Sequence, residues 1–378
     1  MQDIDWTKSI KDDLIHFLDS LKKNDYDYRP VNTGITKIGN KLSLGFNCYA
    51  LKILYILDEW KKIEPELQNR IVSNLESYQV NVKKLPMNSF VDLNFYKYSK
   101  RKTAKQHLKV LLNFFGIYKF NHYEKLLEYN LAETKQAIST IYQLGHENEK
   151  KFVDFPQSKN EIYEFLNSFN WSKPWNAGAQ FANISFLAKT QLENDNEATD
   201  ILYDYIGTKL DQSSGFYFNG KFPENTELIN GAMKVISGLD WLNKPIHEPE
   251  KIIQYCLKIK PSNEGCSLVD YVYVLYKCSK QVDFKKEEVK KYLFNLIEEI
   301  RKHKYVGSGF SYYLNKSQIY YYGQLITKGK NTPDIHGTLL LTWALSMIFE
   351  LNDIDSFKLK SSGSVSFEIS SHWFISDL

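Results

Sequence analysis

The segment Asn331–Leu351, NTPDIHGTLLLTWALSMIFEL, reads as a loop that turns into a helix. Pro333 and Asp334 stand where a fixed φ and a capping carboxylate favour helix initiation. From Thr338 to Phe349 the residues are apolar on almost every helical face. Such a helix must be surrounded by other helices or by lipid. The run is shorter than the roughly 20 residues a bilayer span needs, so the expectation is burial in protein with no membrane span. Its ionisable residues, Asp334 and His336, are confined to its leading end.

The preceding chain supplies the surroundings. Helical spacing predicts amphipathic helices at Trp6–Lys22, Ile63–Gln79, Asn160–Phe169, Glu197–Leu210, Glu248–Ile259 and Lys286–His303. Between them lie more apolar segments, rich in small residues, at Leu44–Trp60, Lys102–Tyr118, Asn176–Gln191, Ile229–Leu242 and Ser267–Lys280, with a further helical stretch at Tyr123–Leu144. Strict alternation is scarce, so the reading is all-α.

The junctions repeat. FLNSFNWSKPWNAG (165–178), GTKLDQSSGFYFNG (207–220), LKIKPSNEGCSLVD (257–270) and IRKHKYVGSGFSYY (300–313) each end an amphipathic helix and turn on small or polar residues, with a weaker copy at 17–30. A spacing of about 40 to 50 residues is that of a helical array. An open array needs polar caps, and the almost wholly apolar inner set predicts closure instead. The expected architecture is an α/α toroid of about six helical hairpins, an inner apolar ring within an outer amphipathic one. It forms a single domain over 1–378, with looser repeats in 1–150, clear repeats in 151–352 and a tail at 353–378.

The composition, 43% hydrophobic and 25% charged, is that of an ordinary globular protein with a large core. The 48 basic and 45 acidic residues nearly cancel, which gives no footprint for nucleic acid. Cys48, Cys256, Cys266 and Cys278 sit among apolar neighbours without a CxxC and read as buried reduced thiols. Met1 runs into Asp3, Asp5 and Asp12 with no apolar stretch, so the expected location is the cytoplasm. Nucleotide-binding GxGxxG and GxxxxGK[ST], zinc-protease HExxH and hydrolase GxSxG patterns are absent.

Several short segments resemble the terpenoid cyclase and protein prenyltransferase superfamily. Asp211–Phe216 (DQSSGF) and Gly307–Phe310 (GSGF) resemble its repeat turns. Cys266–Asp270 (CSLVD) resembles a segment carrying a zinc-ligand aspartate, and Asp334–His336 one carrying the zinc-ligand histidine. The resemblance implies an α/α toroid that binds a small molecule in a central aromatic cavity. Where that family has its cysteine ligand this chain has Val272, and the acidic DxDD cluster is absent, so neither protein prenylation nor acid-driven cyclisation carries over. Toroidal glycoside hydrolases and polysaccharide lyases use similar helices, and fold alone does not separate these activities.

In such a ring the leading ends of the inner helices share one mouth, where helix N-termini favour an anionic ligand. The residues expected there for substrate binding are Trp175, Asn176, Gln180, Asn230, Lys234, Glu264 and Tyr312. Those expected for proton transfer are His336, Asp270, Tyr322 and Asp334, with Asp334 also a helix cap. Asp270 with Glu264 or Asp334 would serve glycoside hydrolysis if about 5 to 9.5 Å apart. No cofactor is expected, although Cys266, Asp270 and His336 are chemically suited to zinc. The competing reading makes Cys266 a packing thiol and Asp270 a hydrogen-bonder. Three functions follow: a cyclase- or prenyltransferase-like enzyme, a lyase or hydrolase of an anionic glycan, and a non-catalytic binding scaffold.

Overall fold

The computed structural model describes residues 5–100, 122–193, 196–263 and 265–354. Its helices in chain order are α1 (Ile10–Leu21), α2 (Leu44–Ile56), α3 (Pro65–Glu76), α4 (Leu93–Ser99), α5 (His122–Gln143), α6 (Lys159–Asn167), α7 (Pro174–Gln191), α8 (Asn196–Gly207), α9 (Asn225–Leu242), α10 (Pro249–Cys256), α11 (Gly265–Gln281), α12 (Lys286–Arg301) and α13 (Ile335–Leu351). A two-stranded hairpin, β1 (Tyr320–Tyr321) and β2 (Gln324–Leu325), interrupts the loop before α13. The expected helix Lys102–Tyr118 lies outside the described residues.

The apolar helices pack into a closed cycle. α2 contacts α5, α5 contacts α7, α7 contacts α9, α9 contacts α11, α11 contacts α13, and α13 returns to α2. The amphipathic helices α3, α6, α8, α10 and α12 each lie against one or more of these inner helices. The all-α toroid is therefore the observed architecture, and α2 and α5 from the first 150 residues complete it.

Burial follows residue pattern. α13 is buried at every position except Glu350. α1 buries only Ile10, Leu14, Phe17, Leu18 and Leu21, one stripe at helical spacing, each worth roughly 1.5 to 3 kcal/mol. Proline at the first turn starts α3, α7 and α10, where its missing N–H costs nothing. The tightest inner contact joins α7 to α9. A Cβ at Gly231 would come within 2.7 Å of Pro174, so glycine permits that approach.

After Pro86 the chain turns into α4. Asp92 starts it by accepting hydrogen bonds from the Asn94 and Phe95 amides. Tyr123–Leu144 forms one helix, α5. All four cysteines are buried and free, as expected. No helix among the described residues is long and apolar enough to cross a membrane.

Candidate active site

Asp334 sets the geometry at the head of α13. Its Oδ1 accepts from the Gly337 amide (2.8 Å), and its Oδ2 accepts from the amides of Tyr312 (2.8 Å) and Gln318 (3.0 Å). One carboxylate thus caps the helix and clamps the loop that carries Tyr312. Burial pushes its carboxyl up to about 6 while the backbone donors pull the other way. Its contacts are those of a clamp, and a role in proton transfer is not needed to account for them.

The clamp places His336 two residues later between two phenol rings. Tyr49 of α2 stacks on one face of the imidazole (centroids 4.8 Å, planes 5° apart) and Tyr312 on the other (5.0 Å, 23°). Burial, aided by the Lys234 ammonium, drives the imidazole down to about 3, so it is neutral at physiological pH. Behind it the Tyr312 hydroxyl and the Cys266 thiol share a hydrogen bond of 2.7 Å.

Cys266 and Asp270 are four apart on α11 and occupy one face. Asp270 is wholly buried, and neither carboxylate oxygen takes a hydrogen bond from the described residues. Burial raises its carboxyl to about 7, and the field of Lys234 opposes the rise. The same burial lowers the Lys234 ammonium to about 8, while Asp270 and then Cys266 hold it up. An acid and a base of the inner ring, one helix apart, therefore both titrate near neutrality. Groups so tuned in a shared interior are candidates for chemistry.

The network continues around the ring. Lys135 of α5 donates to Asn183 Oδ1 of α7 (2.6 Å), and Asn183 donates to Gln180 Oε1 (3.3 Å). Lys52 of α2 donates to Ser139 of α5 (2.8 Å). Burial drives the Lys135 ammonium well below its ordinary range, with the charges of Lys234 and Lys52 adding to the fall, and burial does the same to Lys52. Tyr321 of β1 reaches in from the hairpin and donates to Glu133 Oε1 (3.2 Å), and desolvation holds Glu133 well above the usual carboxylate range. All six inner helices contribute to one buried polar cluster.

Of the residues expected from sequence, Asp270, His336, Lys234, Cys266, Tyr312 and Gln180 join this cluster. Asn230 is buried one turn before Lys234 on α9. Trp175 is half-buried and Asn176 exposed at the head of α7, where the Trp175 amide donates to Glu227 of α9 (3.0 Å). Tyr322 sits at the hairpin turn with a left-handed φ of 44° and stacks on Tyr129 (5.4 Å). The phenols beside His336 are Tyr49 and Tyr312; Tyr322 connects to it through Tyr321 and Tyr49 in turn. Glu264 lies outside the described residues. Among the described residues no three His, Cys, Asp or Glu side chains are grouped to hold a metal ion.

Tyr49, Lys52, Glu133 and Lys135 escaped the sequence reading. The available signal was Lys52, the one charge in LGFNCYALKILYI.

No family model matches the sequence, and no curated protein matches it. One solved structure is similar: an inactive variant of an alpha-1,6-mannanase, GH76A of Salegentibacter sp. HEL1_6, in complex with alpha-1,6-mannotetrose. It is 13% identical, with a TM-score of 0.44, over 92% of this chain and 97% of that one.

Proposed function

We propose that the chain is a carbohydrate-active α/α toroid that cleaves glycosidic bonds in an anionic glycan, with Asp270 as general acid. The observation that carries this reading is the Asp270 carboxyl. It is buried at the ring interior, accepts no hydrogen bond from the described residues, and is raised to about 7 beside Lys234. A carboxyl so placed is protonated below neutrality and has a proton to give. As the C–O bond breaks, that proton passes to the leaving glycosidic oxygen. The carboxylate left behind is stabilised by the Lys234 ammonium. In hydrolysis a water supplies the hydroxyl that ends on the anomeric carbon and, in net, the proton that restores Asp270.

The side chains around Asp270 and Lys234 support a polar substrate. Lys52, Lys135, Asn183 and Gln180 offer hydrogen bonds, and Lys234 and Asp270 charge, that an isoprenoid chain cannot use. The cyclase- or prenyltransferase-like reading rests on the toroid and on short segments of sequence, and the polar interior weighs against it. Tyr49, Tyr312 and Trp175 provide flat faces of the kind on which sugar rings stack. The scaffold reading asks nothing of Asp270.

The test is cleavage of uronate-bearing, sulfated and neutral oligosaccharides, read as release of reducing ends. Asp270→Asn should lower the rate about 100- to 10,000-fold with little change in KM. An unsaturated, ultraviolet-absorbing product would assign elimination instead. Equal rates in the native chain and the variant would remove Asp270 from the mechanism.

A further inference from the structure

A hollow of about 190 Å³ lies between the head of α2, the end of α3 and the head of α4. Ser43, one of its lining residues, is the N-cap of α2. In the first turn of that helix Phe46 packs on Tyr321 of the hairpin (5.5 Å). The Ile335 amide, at the head of α13, donates to the Pro30 carbonyl (3.0 Å) on the loop that leads to α2. The heads of α2 and α13 therefore lie at one end of the ring, and the hollow stands on that rim. Its walls are fixed by hydrogen bonds. Asp92 is buried at its base, where Oδ1 accepts from the amides of Asn94 and Phe95, and Oδ2 from those of Ser43 (2.8 Å) and Leu44 (3.4 Å). The Val91 amide donates to the Tyr78 carbonyl (2.7 Å), which locks together two of the chain segments that form it. Asn94 Nδ2 donates to the Lys41 carbonyl (3.1 Å) and joins two more. A hollow so preformed asks little ordering of the protein when a ligand enters.

Two kinds of surface meet there. Val80, Val91 and the exposed Leu93 are apolar. Tyr78 and Ser43 add hydroxyls, and Lys23 Nζ donates to Ser43 Oγ (3.2 Å), so the Ser43 proton is directed elsewhere. Burial, and then the charges of Asp27 and Asp92, push the Tyr78 phenol up, so it keeps its proton and can donate. A fitting ligand has an apolar face edged by oxygens. A sulfate, phosphate or carboxylate would meet the Asp92 carboxylate, and the exposed Lys41 is screened by solvent. An alkyl chain would leave the hydroxyls unmatched. A neutral sugar ring has both surfaces, and the hollow has room for one ring, being below the roughly 300 Å³ at which pockets for drug-sized ligands begin.

We propose that this hollow is a second sugar-binding subsite, separate from Asp270, which holds one neutral pyranose residue and anchors the glycan at the rim. That the ring belongs to the chain being cleaved rests on the glycan-cleaving reading; the fit of a ring to the hollow does not.

The test is saturation-transfer NMR and calorimetry of the full chain with the methyl pyranosides of glucose, mannose and galactose, and with inorganic sulfate as the anionic contrast. At least one pyranoside should bind saturably, and sulfate should not take its place. Tyr78→Phe removes the phenol hydroxyl and Leu93→Ala the exposed apolar contact, and each should weaken that binding about three- to tenfold. Leu93 is exposed, so its variant keeps the fold and decides the matter even if Tyr78→Phe does not fold. Val306→Ala, at an exposed site elsewhere, should change nothing. No saturable pyranoside binding, binding that survives both substitutions, or sulfate held in the sugar's place overturns the subsite. On oligosaccharide substrates Leu93→Ala should raise KM for long chains and leave kcat as it was; an unchanged KM overturns the anchoring role. The two ideas fail separately. Asp270→Asn should keep the pyranoside while losing cleavage. Pyranoside binding that needs Tyr78 and Leu93, without any cleavage, would sink the catalytic reading alone. Asp270-dependent cleavage with no pyranoside bound would sink the subsite alone.

Discussion

Asp270 and Lys234 carry their burial as a dependence of stability on pH. The Asp270 carboxyl rises from its ordinary 3.8 to about 7 in the folded chain, so between those values the folded state binds more protons than the unfolded one. The Asp270 contribution to stability therefore falls as pH rises from about 4 to 7. About three pH units at about 1.4 kcal/mol each put the cost on the order of 4 kcal/mol. Lys234 falls from 10.5 to about 8, so from about pH 8 to 10.5 the unfolded state binds more protons and stability recovers. His336 shares these surroundings with the opposite sign: its imidazole falls from 6.5 to about 3 in the folded chain, so between those values the unfolded state binds more protons and His336 offsets much of the Asp270 fall. Because other buried groups titrate in the same range, the contribution is read as a difference: urea unfolding of the native chain minus that of Asp270→Asn should fall from about pH 4 to 7. A difference that does not change with pH would show that Asp270 is not shifted.

At the scale of the element, α13 shows what can be read in a sequence and what cannot. Its apolar run and the Asp334 cap were both legible, because a cap and a buried helix are local patterns. The second use of Asp334, accepting from the Tyr312 and Gln318 amides, was not legible, since it depends on where a distant loop returns. Asp334→Ala removes the cap, about 1 kcal/mol, and strands two buried amides at about 1 to 3 kcal/mol each. The melting temperature should drop by several degrees, and the His336 and Tyr312 rings should lose their register. Asp334→Asn, which keeps an acceptor, should recover part of the loss. If alanine is tolerated without a shift, the clamp is not what holds the loop.

α5 shows the opposite case. Its sequence is helical and rich in polar residues, yet Asn130, Glu133, Thr134, Lys135, Gln136, Ser139, Thr140 and Gln143 are all buried. Periodicity reports that one face is polar. It does not report whether that face meets solvent or the interior of a ring. Glu133 and Lys135 were therefore invisible as site residues, although the helix that carries them was expected.

On the scale of the whole molecule, closure is what joins residues far apart in the chain. Tyr49 near one end and His336 near the other stack at the seam between α2 and α13. A double-mutant cycle of Tyr49→Leu and His336→Leu should give a coupling of roughly 0.5 to 1.5 kcal/mol in unfolding free energy. Additive effects would mean the seam is open in solution. The repeat spacing and the apolar inner set made closure legible. The polar character of the interior was only partly legible, through Asp270, Lys234 and His336, because its remaining members come from helices whose facing is fixed by the ring as a whole.

The most direct test of the central claim is the titration of Asp270, followed by carbon NMR of carboxyl-labelled aspartate in the native chain and identified by its absence in Asp270→Asn. A midpoint near 7, moving further upward in Lys234→Met, is what a buried Asp270 beside Lys234 predicts. A midpoint near 4 that ignores Lys234 would place Asp270 in water and contradict the account.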